Sequence, residues 1–342
     1  MLRGSRAERA VASGAGAAAL PARPRVETAV TRIRDWAENR YRRFRAFAGV
    51  FRQSRLGMIG LALLLVFVFM AVSAPFLTSA GLLRDPDRFL CGADYHYCTP
   101  TDGDYDLLDP PNGHVWLGTD QIGRDVFARL WWGTQVTMLI GILASILVMG
   151  LGTFIGLIAG YYGGWVDEIL MRITDFFLVL PTLVFALILL GILSQAGAGS
   201  VWTVILVIGI TLWAFTARLV RSQVLSLKER QFIERAKAIG ARQTRIVWVH
   251  IFPNAFSLIF AEGILTIAVA ILTESFLSYI GLGPNANTWG IMIEEAIRNA
   301  AFENRLFWWI LAPGLAIVGV VLAFTLLGYA LDEIMNPRLR RR

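Results

Sequence analysis

The sequence predicts an all-α membrane protein with six transmembrane helices and both termini cytoplasmic. Three observations carry that expectation. With 56% hydrophobic and only 17% charged side chains over 342 residues, the chain is too apolar for a water-soluble domain of its size. Six apolar stretches are each long enough to cross the hydrocarbon core, at residues 57–77, 135–160, 169–193, 201–217, 257–282 and 307–331. Basic residues gather in alternate connections between them.

A span in lipid must close its own backbone hydrogen bonds, which makes each stretch a helix. The arginines set direction. Arg32, Arg34, Arg40, Arg42, Arg43, Arg45, Arg52 and Arg55 precede the first span. Arg218, Arg221, Lys228, Arg230, Arg235, Lys237, Arg242 and Arg245 lie between the fourth and fifth, and Arg338, Arg340, Arg341 and Arg342 follow the last. These segments are expected in the cytoplasm. After the first span come Asp85, Asp87, Asp94, Asp102, Asp104, Asp106 and Asp109, and after the fifth Glu294, Glu295 and Glu303, so both segments are expected outside. A net charge of +7 distributed in this way describes topology rather than a nucleic-acid surface.

The chain then divides into a cytoplasmic tail (1–55), a first transmembrane helix (56–77), an extracytoplasmic insertion and lead-in (78–134), a core with five transmembrane helices (135–335) that includes the cytoplasmic loop 218–256, and a basic cytoplasmic end (336–342). The Ala/Gly run ending at Pro21-Ala22 holds only Val11 and Leu20 as large apolar residues and is followed by arginines. It is expected to be a flexible tail rather than a signal peptide. Ile33, Trp36, Phe44, Phe47 and Phe51 recur at helical offsets among arginines and predict an amphipathic helix on the inner membrane surface.

Residues 78–115 are rich in Asp, Gly, Pro and Tyr, with no period that identifies a helix or a strand. Both cysteines, Cys91 and Cys98, fall in this insertion on the oxidising side, and their short spacing predicts a disulfide. Two cysteines and His96 fall short of a structural zinc set, so no metal site is expected.

The longest cytoplasmic loop is the most informative stretch. Phe232, Ile233, Ala236 and Ile239 form a helical stripe, Gly240 supplies a left-handed stop, and Pro253 marks a break before the chain re-enters the membrane. Two short helices lying on the membrane surface are expected there. Among ionisable residues in the spans, Asp175, Glu262 and Glu274 stand out. Arg172 lies one turn from Asp175 and predicts a structural ion pair. Glu262 and Glu274 are separated by about 18 Å along a helix and cannot form one site. Glu274 is expected either to line a path or outer gate, or to position its helix by a hydrogen bond to a neighbour. Gly141, Gly150, Gly152, Gly156 and Gly160 of the second span predict close helix approach, extending to a partner subunit.

Catalysis is not expected. The chain has no phosphate-binding Gly-x-x-x-x-Gly-Lys-Ser/Thr loop and no serine or cysteine nucleophile set beside a base, its histidines being His96, His114 and His250.

Glu234-Arg235-Ala236, with Gly240 six residues after the glutamate and then His250-Ile251-Phe252-Pro253-Asn254, resembles the coupling loop of ABC importer permeases in the dipeptide, oligopeptide and nickel family. Arg235 stands where the family has a second alanine, and Phe252 where it has leucine. The resemblance continues through LGTDQIGRD (117–125), DEILMRITDFFLVLP (167–181), ESFLSYIGLG (274–283), Trp289-Gly290 and Asn336-Pro337-Arg338, covering residues 52–340. It implies a type I importer permease fold, specifically the second, C-type permease subunit. Glu234, Arg235, Ala236, Ile239, Gly240, His250 and Pro253 would couple it to an ATPase. The implied partners are a homologous permease, two ATPase subunits that hold ATP and Mg, and an extracytoplasmic binding protein; this chain itself would bind no cofactor. Within such a family the cargo would be di- or oligopeptides, with nickel, glutathione or oligosaccharides as alternatives. An ion-coupled secondary transporter using Asp175 or Glu274 is the distant rival, marked by inverted repeats and broken helices that are not evident in the sequence.

Overall fold

The computed structural model describes residues 45, 48–91, 96–98, 107–195 and 199–335, without the side chains of Cys91, Cys98, Ser194 and Gln195. Two units divide the chain, Met1–Gly49 and Val50–Arg342, and the second carries the fold described here. The helix expected through Ile33, Trp36, Phe44 and Phe47, and the basic end at 336–342, lie outside the described residues.

Nine helices and one small hairpin make up the described part of this unit. In order they are α1 (Arg55–Ser79), β1 (Phe89–Cys91), β2 (His96–Cys98), α2 (Val126–Tyr162), α3 (Gly164–Val179), α4 (Thr182–Gln195), α5 (Val201–Lys228), α6 (Gln231–Ala238), α7 (Phe252–Leu277), α8 (Trp289–Arg298) and α9 (Phe307–Met335). Further helical turns at both ends of α7 extend it to Gln243–Leu282. Five helices are long and apolar enough to cross a membrane, and the bent pair α3–α4 would make a sixth span if taken together.

The expected third span, 169–193, is therefore not one straight helix. Its two halves meet at 89°. Pro181 disfavours the helical conformation in the residue before it, and Leu180 is accordingly extended, at φ −67° and ψ 131°. Phe177 packs against Phe185 across the corner and against Trp213 of α5, with ring centroids 5.8 and 5.2 Å apart.

Side chains at the helix starts explain where several begin. Ser54 accepts a hydrogen bond from Gly57 N–H, Asp125 from Phe127 and Ala128 N–H, Ser200 from Thr203 N–H, and Thr288 from Ile291 N–H, which caps α1, α2, α5 and α8. The described part of the insertion contains regular structure that its composition does not suggest. β1 and β2 pair antiparallel with Phe89 opposite Cys98, Leu90 opposite Tyr97 and Cys91 opposite His96. Three-residue strands are too short to display alternation, so the hairpin left no sequence signal. It is anchored by Leu90, which is buried and donates its N–H to Gly123 O at 3.0 Å.

The most extensive contact is α2 on α5, and glycine makes it possible. A Cβ on Gly152 would lie 2.5 Å from Thr216 Cβ, one on Gly156 2.5 Å from Ala217 O, and one on Gly160 2.8 Å from Val224 Cβ. The expected close approach of helices is thus realised within this chain, where Gly152, Gly156 and Gly160 face α5. Gly150, on another face, has nothing within 4 Å. Phe51 is buried beside Ala330 and Leu331 of α9, so it serves the core and not a membrane surface. Replacing Gly156 by leucine should push the two backbones apart at a cost of about 1–3 kcal/mol. The detergent-solubilised G156L chain should melt several degrees lower, while G150L should melt with the parent.

Candidate functional site

Chemically distinctive groups gather at the two ends of the bundle. At one end α6 lies across the ends of α2, α5 and the turns preceding α7. Ile233 and Ala236 are buried there with Leu157, Tyr161, Val224, Leu227, Ile246 and Ile251. Glu234 and Arg235 point to the exposed side. The expected four-residue stripe is split: Phe232 is 40% and Ile239 85% exposed. Over eight residues one apolar face is wide enough to bury only the i, i+3 pair, leaving Phe232 and Ile239 largely uncovered by the described residues.

Gly240 ends α6 as its sequence position predicts. Its φ is +79°, its N–H bonds Lys237 O at 3.0 Å, and Ala241 N–H bonds Ala236 O at 3.0 Å. This pair of bonds is a Schellman closure, for which glycine is the residue without a steric penalty. Beyond it Ile239, Gly240, Arg242, Arg245 and His250 border an open hollow. The expected break at Pro253 does not occur. The chain stays helical through it by widening to π-type turns over Ile246–Ile251, and Phe252 N–H reaches Val247 O five residues back. A wider turn relieves the clash between the proline ring and the carbonyl four residues earlier.

At the opposite end a neutral cluster of four charges joins the lead-in to α8. Asp120 is fully buried; its Oδ1 accepts from Ile122 and Arg124 N–H at 3.0 and 2.9 Å. Its Oδ2 accepts from Arg124 Nε at 2.7 Å and Arg129 Nη1 at 2.8 Å. Both guanidiniums continue to Glu295, Arg124 at 3.1 Å and Arg129 in a shorter contact. Burial alone would raise the Glu295 carboxyl, but Arg129 and Arg124 outweigh it and hold the group below the ordinary glutamate value. Asn287 Nδ2 and Trp289 Nε1 add hydrogen bonds to Arg129 O and Leu130 O, at 2.8 and 2.9 Å, so α8 is tied to α2 by backbone and charge alike. Asp120 and Arg124 belonged to a motif noted for its resemblance, but their role was not legible: Glu295 lies 171 residues from Arg124.

Glu274 is fully buried at the junction of α7 and α8. Ser278 Oγ donates to it at 2.7 Å and Ser275 Oγ at 3.4 Å, and Thr288 adds a side-chain bond. Gly290 lets α8 reach this junction, since a Cβ there would sit 2.7 Å from Ser278 Cβ. Asp175 is ion-paired, but not with Arg172. Its partner is Arg218 of α5, alongside a bidentate pair of Asp167 and Arg221 at 2.5 and 2.6 Å. Arg172 turns instead to Glu168 at 3.5 Å, four residues earlier, the favourable acid-before-base order on a helix. The bend at Pro181 therefore carries no free carboxylate of Asp175, which an ion-coupled site there would need.

A bundle of apolar spans with a short amphipathic helix at one end, a charge-locked helix at the other, and a buried carboxylate held by hydroxyls defines a polytopic membrane transport component. The chain belongs to the family of binding-protein-dependent transport system inner membrane components, whose model matches residues 152–341. A second model, the N-terminal transmembrane domain of oligopeptide transport permease C, matches residues 43–110. The chain is 33% identical over 296 residues to the oligopeptide transport system permease protein OppC of Bacillus subtilis, covering 85% of this chain and 88% of the relative. It is 34% identical over 293 residues to the dipeptide transport system permease protein DppC of the same organism, covering 85% and 84%. The glutathione transport system permease protein GsiD of Pectobacterium atrosepticum is 38% identical over 240 residues, covering 69% and 77%. The protein is accordingly a multi-pass membrane permease.

Two outcomes follow for the four-charge cluster. Arg129→Gln would leave Asp120 and Glu295 to share Arg124 alone, with one negative charge of the cluster uncompensated, and should cost about 3–5 kcal/mol, measured as a fall in melting temperature. Because Glu295 is depressed in the folded state, its contribution is complete above the ordinary glutamate value and is lost as pH falls through the lower folded value. Acid titration of stability should show this loss, and E295Q should remove that part of it.

Proposed function

We propose that the chain is a permease subunit of an ATP-driven ABC importer that brings short peptides into the cytoplasm by alternating access. The observation that carries the reading is α6: a helix seated on three spans by Ile233 and Ala236, closed by Gly240, and presenting Phe232 and an 85% exposed Ile239 beside a basic hollow. An exposed apolar residue at a rigid helix end suits insertion into a groove on another protein. That protein would be the ATPase, and a load on α6 would pass directly to α2, α5 and α7. Glu234, Arg235, His250 and Pro253 would shape the same surface and its approach.

In this reading the membrane holds six spans, with α3 and α4 together as the third, and both termini in the cytoplasm. The 1–55 tail and the 218–256 loop would be cytoplasmic, and the 78–134 insertion would lie outside. A homologous permease, two ATPase subunits holding ATP and Mg, and an extracytoplasmic binding protein would complete the assembly, and this chain would bind no cofactor and catalyse nothing. The names of the Bacillus relatives support peptides as cargo. The Pectobacterium relative supports glutathione, itself a short peptide, as the second reading. Glu274 would act by holding α8 and the outer end of α7 together as part of an outer gate, and Asp175 by strapping α3 to α5. Cys91 and Cys98 would form a disulfide across the hairpin; in unreduced protein neither thiol should react with an alkylating reagent.

Gly240→Leu tests the coupling role cleanly, because the space beside Gly240 is open and only the left-handed backbone, worth about 1–2 kcal/mol, opposes the side chain. Peptide uptake by the reconstituted assembly should collapse while nucleotide binding by the ATPase persists. Ile239→Asp should weaken co-purification of the ATPase without lowering the chain's own melting temperature. Unimpaired uptake in both variants would reject the coupling role of α6.

A further inference from the structure

A separate cavity of about 370 Å³ opens at the α6 end between α5, α7 and α9. Its lining includes Gln223 and Ser226 of α5, Arg230 where α6 begins, Ser257 of α7 and Asp332 of α9. Two features of its charge are unusual. Arg230 and Asp332 face one space, yet neither joins an ion pair among the described residues. Glu262 of α7 also lies close enough to Asp332 for the two like charges to act on each other, with no cation within ion-pair reach among the described residues. The cavity is thus lined by one carboxylate, Asp332, and one guanidinium, Arg230, each without an ion-pair partner among the described residues, together with the hydroxyls of Ser226 and Ser257 and the amide of Gln223.

We propose that this cavity binds a small zwitterion, a free amino acid or a short peptide with free termini. Its ammonium would neutralise Asp332, and its carboxylate would meet the Arg230 guanidinium, whose planar fork matches it. A bare cation would leave Arg230 unmatched, and a simple anion would face the Asp332 carboxylate. A zwitterion satisfies both walls. Its size also suits the space, which lies within the usual range for small-molecule sites. Because Arg230 is the root of α6 and Asp332 lies on α9, a bound molecule would bridge the coupling helix to the last span. In the orientation proposed above the site faces the compartment receiving cargo, so accumulated product would restrain α6 and slow its own import. That regulatory consequence rests on the import reading; the binding does not.

The test uses the full chain in lipid nanodiscs, titrated calorimetrically with alanyl-alanine. Saturable binding is expected, weakened about tenfold or more in D332N and in R230Q. N-acetyl-alanyl-alanine, lacking the ammonium, and alanyl-alanine amide, lacking the carboxylate, should each bind as poorly to the parent chain. Arg230 is exposed and makes no side-chain cap, so R230Q decides the matter if D332N fails to fold. Absence of saturable binding, binding unchanged in R230Q, or equal affinity for either blocked peptide would overturn the proposal. Uptake by the reconstituted assembly is scored separately. Variant-sensitive binding without import would leave this site standing and remove the import reading, and import without such binding would do the reverse.

Discussion

The close contact of α2 and α5 is the constraint on which the rest of the protein depends. Gly152, Gly156 and Gly160 bring the two backbones within a side chain's breadth of each other, and each helix then leads directly to one functional end. The start of α2 carries Asp125 and Arg129; the far end of α5 runs straight into α6. In a bilayer, burial of apolar surface gives no advantage to one helix pair over lipid, so small residues that maximise contact decide which helices pair. Once that pair is set, α7 and then α9 fill the remaining face, and both polar ends are placed relative to each other.

The two ends solve the problem of polar groups near a membrane in different ways. At the α8 end two acids and two arginines cancel, and backbone N–H groups satisfy the remaining oxygen of Asp120. This matters because a buried charge stripped of its partner is far more costly than the pair is favourable. At the α6 end the basic groups remain open to solvent, next to an apolar residue, Ile239, that none of the described residues covers. A closed, self-neutral cluster suits a fixed junction, and an open, unmatched surface suits one that meets a partner.

The apolar helical character of the spans, the position of α6 and its glycine stop were legible because each depends on neighbours a few residues apart. Gly240 is the clearest case: the need for a left-handed residue three positions past Lys237 is local geometry. Where local reasoning failed, a competing local effect or a distant partner won. Pro253 was expected to break the chain, but a π-type widening absorbed it. Arg172 was expected to serve Asp175, but Glu168 was better placed on the same helix and Arg218 on the neighbouring one. The hairpin at Phe89–Cys98 was too short to show a period.

The sequence by itself determined that this is a membrane-spanning helical bundle with a basic, amphipathic loop, because apolar length and helical spacing are properties of contiguous residues. Only the tertiary structure decided that Arg124 and Arg129 meet Glu295, that Glu274 is held by Ser275, Ser278 and Thr288, and that Arg230 and Asp332 share one cavity. Those groups come from separate helices, and which helices touch is fixed by close packing across the whole bundle rather than by any stretch of chain.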